Sequence, residues 1–184
     1  MDHLDFELPE REQPLVLPWP SPGLPGGFIR FDRADQWRAF IADLGVDSGI
    51  PNIVRAKYAR AQKLYLFAWI DTDLIKAGEL VALTCLELAV MDCYGDQLPK
   101  KDRSFAALLK HMVLADGLTD AQIPMIARCG GTAIGQLTGE TNPSLAQRRN
   151  AMAHGDPFDG MLVGGLLELV RDLINFAYRH LIAG

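Results

Sequence analysis

The sequence predicts an all-α protein, a helical bundle that carries an extended, proline-rich arm at its N-terminal end. Three observations lead there. From residue 32 onward apolar residues recur at the three- and four-residue spacing of one helix face. No segment alternates apolar and polar residues for long enough to make a strand. Six of the eleven prolines fall within residues 9–27, where each removes a backbone donor and fixes its own φ, so that stretch cannot be helical.

The arm, residues 1–31, has Val16, Leu17 and Trp19 as its anchors, and the helical domain is expected to span 32–184. In DRADQWRAFIADLG, residues 32–45, Trp37, Phe40, Ile41 and Leu44 line one face and Gly45 lies near the end. A second helix follows Pro51 over 52–70. Asp71 or Asp73 caps a third, 73–96, which is apolar on almost every side and so belongs at the centre of a bundle. Residues 101–117 make an amphipathic fourth helix ending at Gly117, and 119–131 a short fifth ending at a glycine pair. The segment TAIGQLTGETN, 132–142, reads as a loop. In PSLAQRRNAMAHG, 143–155, Pro143 suits the first turn of a short helix and Gly155 its C′ position. A long terminal helix, 160–184, carries Glu168, Arg171, Asp172, Asn175 and Arg179 on one polar stripe.

Composition bounds the function. A chain of 184 residues, about half of them apolar, buries one full core. Its net charge of -5 argues against a broad electrostatic footprint for nucleic acid and leaves room only for a local basic site. Cys85, Cys93 and Cys129 form no CxxC pattern and read as free thiols of a reducing cytosol. The acidic N-terminus has no apolar signal region, and charges interrupt every long apolar run, so a cytoplasmic protein without a membrane span is expected.

One stretch carries chemistry more plainly than the rest: SLAQRRNAMAHGDPFDG, residues 144–160. On one continuous helix Arg149 and His154 would stand about 140° apart, so they converge only where the helix stops, and Gly155 and Pro157 supply the stop. A guanidinium offers a fixed fork of donors to a phosphate, and an imidazole near neutrality moves a proton to or from a ribose hydroxyl.

RNAMAHG, placed between a short helix and the terminal one, resembles the signature of the HEPN superfamily: Arg, a polar residue, a short spacer and His. The resemblance covers roughly residues 52–182 and implies a dimeric helical domain, often a metal-independent endoribonuclease, in which the motifs of two subunits face each other. Arg149, Asn150 and His154 are the matching positions, and Glu87 or Thr84 could fill the place of the acidic or hydroxyl residue that many members carry on an earlier helix. Asn150 would orient the His or the phosphate. The branch that pairs with nucleotidyltransferase antitoxins usually has Tyr two residues after the His; Asp156 stands there, so that partnership is not expected. The implied reaction is attack of a 2′-oxygen on the adjacent phosphodiester. Arg148, Lys100 and Lys101 are candidate contacts to RNA or phosphate.

The same residues have a plainer explanation, because Arg and His in a last helical turn both gain from the helix dipole. A catalytically silent HEPN-like module, binding a nucleotide or a protein partner, is therefore the alternative. Asp71–Asp73 falls where a helix needs a cap, and among His154, Asp156 and Asp159 the Asp156–Pro157 pair is ordinary helix-start chemistry, so no metal is expected. CGGTAIGQLTG lacks the Gly-Lys-Ser/Thr ending of a phosphate loop, and no cofactor is expected. A twofold homodimer is expected, because the third helix is apolar nearly all round and Gly164–Gly165 permits close backbone approach.

Overall fold

The computed structural model describes residues 3–155 and 162–182. The chain is mostly helical. Helices α1 (Ala34–Asp43), α2 (Asn52–Phe67) and α3 (Leu74–Tyr94) are followed by α4 (Phe105–Leu114), α5 (Pro124–Cys129), α6 (Ile134–Thr138), α7 (Leu145–Ala153), α8 (Leu166–Ala177) and the short α9 (Arg179–Ile182). As its apolar circumference demands, α3 lies at the centre, against α2, α4, α7 and α8.

Local signals place some helix ends, though Asp73, at the N-cap of α3, makes no side-chain cap hydrogen bond. Ser104 caps α4, its Oγ accepting from Ala107 N at 3.2 Å. Ser144 and Gln147 form a reciprocal capping box at the start of α7, with Gln147 Oε1 accepting from Ser144 N at 2.7 Å. Pro143 thus lies one residue before the cap, outside the first turn where the sequence placed it. The segment read as a loop at 132–142 contains α6, because Asp120 reaches across to it: its Oδ1 accepts from Ala133 N at 2.8 Å and its Oδ2 from Thr132 Oγ1 at 2.6 Å.

The arm departs most from expectation. Strand β1 (Leu15–Pro18) pairs antiparallel with β2 (Phe28–Phe31), so the all-α class becomes a helical body with a two-stranded hairpin. The hairpin escapes a sequence search because each strand is only four residues long and β1 ends in proline. Leu4, Leu15, Leu17 and Trp19 are buried in the same core as the helices. Trp19 packs edge-on against Phe40 at 5.1 Å and donates from Nε1 to Glu168 Oε2 at 3.0 Å. Trp69 Nε1 donates to Pro9 O at 2.7 Å, Arg11 donates to Trp69 O, and Arg38 donates to Phe6 O, so α1 and the end of α2 hold the arm by its backbone.

Two features read as grounds for a dimer are used within the chain. The faces of α3 are covered by its own neighbours. A Cβ on Gly164 would lie 3.0 Å from Pro18 O, and one on Gly165 would lie 2.8 Å from Pro20 Cδ, so this pair admits the arm. Gly165 also has φ +74° and is the N-cap of α8, so the terminal helix starts at Leu166, later than the sequence pattern placed it. Gly165→Ala is expected to cost about 1–2 kcal/mol from the left-handed backbone alone, with the Pro20 contact adding to it; urea unfolding measures the sum.

The polar stripe of α8 turns inward. Glu168 and Asp172 are 2% and 3% exposed, so their charges need partners inside the protein. Glu168 Oε1 takes Arg128 at 2.7 Å and Arg171 at 3.2 Å, while Asp172 takes Arg171 at 2.7 Å and the backbone N–H of Met125 at 2.7 Å. Burial still raises the Asp172 pKa.

At the opposite end of the helix, Arg179 donates to both oxygens of Asp116, and Tyr94 donates to Asp116 Oδ2 at 2.6 Å. The Arg179 hydrogen bond, set against partial burial, holds the Asp116 carboxyl below its ordinary range. The stability this supplies is complete above about pH 4, the unfolded carboxylate value, and is lost as pH falls through the lower folded value. Thermal melts of the native protein and Asp116→Asn from pH 6 to pH 2 should therefore differ most near pH 6 and converge as the pH falls.

Burial pushes the Cys85 thiol up to about 12 and that of Cys93 up to about 11, which suits inert free thiols. Among the described residues no helix is long and apolar enough to cross a membrane.

Candidate functional site

Helix α7 stops where the sequence says it should. His154 is its C-cap, with φ -91° and ψ 6°, and Gly155 follows at φ +72°, the left-handed turn that a C′ glycine supplies. The imidazole is exposed. Arg149 lies mid-helix and His154 at the C-cap, and among the described residues no hydrogen bond joins them, so the helix stop does not by itself link the two groups within one chain.

Arg149 is held firmly. Its Nε donates to Glu87 Oε2 at 2.9 Å, and its Nη2 donates to the same oxygen. Its Nη1 donates to Asn150 Oδ1 at 2.8 Å. The central helix thus reaches the motif across 62 residues of sequence through one carboxylate, and both partners of the ion pair are about a quarter exposed. Among the described residues, three of the five N–H groups of this guanidinium are engaged. Asn150 thus meets the arginine through its Oδ1.

Of the two candidates on α3, Glu87 faces the arginine. Thr84 donates instead to Val81 O of its own helix at 3.0 Å. Arg148 is half-buried, and its Nε is inaccessible and, among the described residues, without a hydrogen-bond partner, so it is turned partly into the protein. Lys100 and Lys101 are exposed in a 3-10 turn between α3 and α4, and no ion pair or hydrogen bond joins them to the Arg149 cluster among the described residues. Asp156, Pro157 and Asp159 lie outside the described residues. Among those that are described, no group of three or more His, Cys, Asp or Glu side chains is placed to hold a metal.

Glu79 is the residue that sequence reading passed over. It lies on α3 two turns before Glu87, is fully buried, and accepts from Val163 N at 2.8 Å through Oε1. Its Oε2 pairs with Lys76 Nζ at 3.5 Å on the same helix. Burial raises its pKa, with Lys76, the Val163 N–H and Arg148 opposing the shift. The available signal was a carboxylate in an otherwise apolar helix, since such a group needs internal partners.

No family model, no curated protein and no solved structure matches this chain. The likeness to HEPN proteins therefore rests on RNAMAHG and on the order of the helices around it.

Proposed function

We propose that this protein is a HEPN-type, metal-independent endoribonuclease of the cytoplasm that acts as a homodimer, with Arg149 and His154 at the reacting phosphodiester. The observation that supports the reading most directly is the grip of Glu87 and Asn150 on Arg149, in a helix whose stopped end carries an exposed His154. A guanidinium fixed before substrate arrives needs little reorganisation to stabilise charge developing on the phosphate. His154 takes the proton from the ribose 2′-hydroxyl, whose oxygen attacks the adjacent phosphorus. The P–O5′ bond breaks, and the partner subunit's His154 returns a proton to the leaving oxygen, giving a 2′,3′-cyclic phosphate and a 5′-hydroxyl.

One observation favours the catalytically silent alternative. The charge of Arg149 is already met by Glu87, and an ion pair of this exposure also serves as an ordinary helix tie. Incubating the native protein with single-stranded and structured RNA, with and without chelator, separates the readings. Cleavage indifferent to chelator and ending in cyclic phosphate is expected; no cleavage of any RNA would leave the silent module standing. Equilibrium sedimentation at micromolar concentration should show a dimer.

A further inference from the structure

We infer that Glu79 is a positioning residue for the motif: from the buried centre of α3 it holds, at Val163, the backbone that follows the motif, while Glu87 of the same helix holds Arg149 within it. This rests on reading Arg149 and His154 as a functional site. Three observations carry it. Glu79 is 0% exposed, and its Oε1 is spent on a backbone N–H 84 residues away, in the stretch that leads from the motif into α8. Its other oxygen, Oε2, lies 3.5 Å from Lys76 Nζ, so the carboxyl is held in place on its own helix. Eight residues further along α3, about 12 Å at 1.5 Å per residue, Glu87 takes Arg149. Two carboxylates of one helix thus hold the chain on both sides of the motif's end, Glu87 at Arg149 and Glu79 at Val163.

The groups facing Glu79 come from three neighbouring elements and its own. Lys76 precedes it on α3, Arg148 lies on α7, the Val163 N–H comes from the segment before α8, and Tyr65 of α2 feels its charge. A carboxylate placed there for packing alone would be replaceable by an apolar residue. One that holds a backbone amide must keep an acceptor, and Gln keeps one where Ala does not.

Amide hydrogen exchange followed by NMR, on the full chain, tests this without any substrate. Glu79→Ala should lower the protection of the Val163 amide at least tenfold and shift the resonances of Arg148, Arg149 and His154, while the amides of α2 and the middle of α3 stay protected. Glu79→Gln should keep Val163 protected. In RNA cleavage by the same variants, Glu79→Ala should lower kcat about tenfold with KM unchanged, and Glu79→Gln should recover most of it. Unchanged Val163 protection in Glu79→Ala would overturn the inference. So would a uniform loss of protection, the mark of a merely structural carboxylate, or loss at Val163 in a folded Glu79→Gln. If Glu79→Ala does not fold, Glu79→Gln alone decides. Absence of cleavage by the native protein strikes the proposed function and leaves the exchange result to judge Glu79.

Discussion

Replacing His154 by Ala is expected to lower RNA cleavage by on the order of a hundredfold or more, the usual worth of a general acid or base, while leaving the melting temperature within a few degrees of native. The reason for the second half is structural. His154 is an exposed C-cap whose own backbone N–H is satisfied by Asn150 O at 3.0 Å, and the turn that follows is made by Gly155. Nothing in the core rests on the imidazole; what is lost besides chemistry is at most the helix-dipole contribution of a cation, roughly 0.3–1 kcal/mol. Arg149→Lys should fail as well. A lysine presents a point charge, and it cannot hold Glu87 through two N–H groups, reach Asn150 with a third, and still offer donors to phosphate. A silent module predicts the reverse pattern, with no cleavage to lose and only the small stability terms changed. Cleavage that survives His154→Ala, or that disappears with chelator, would sink the proposed chemistry.

Deleting residues 1–27 is expected to abolish cooperative folding. Leu4, Leu15, Leu17 and Trp19 are each at most 3% exposed, and β2 would lose its only paired strand. At roughly 1.5–3 kcal/mol for each buried side chain, the four contribute on the order of 6–12 kcal/mol as an upper figure, comparable with the whole stability of a typical domain, about 5–15 kcal/mol. The deletion also uncovers the backs of Phe40 and Tyr65, which pack against Trp19, and leaves the buried Glu168 without its Trp19 donor. Circular dichroism should show residual helix without a cooperative melt. A sharp transition near the native temperature would show instead that the arm is an appended segment, as its proline content alone suggests.

The contrast between these two variants follows from what each residue contacts. The motif is built at the surface from a helix end, and its change alters chemistry; the arm has little helical or strand propensity, and its loss removes core.

Helices α1 to α5 and α7 were legible because each is specified locally, by apolar spacing and by residues such as Ser104, Gly155 and the Ser144–Gln147 box that satisfy backbone groups within a few positions. The stopping of α7 at His154 belongs to the same class, and so the outline of the candidate site was in the sequence. What required the tertiary structure were the interactions between distant segments. Gly164 and Gly165 read equally well as a contact with a second subunit or with the chain itself, and only the path of the arm chooses between them. Glu168 and Asp172 look like a solvated stripe until Arg128, Arg171 and Trp19 close over them. Glu87 and Glu79 could be seen as charges on an apolar helix, but their partners lie 62 and 84 residues away. Local sequence determines where a helix starts and stops because hydrogen bonds and caps act over one turn; it does not determine which buried charge meets which, because that depends on chain segments brought together only when the core forms.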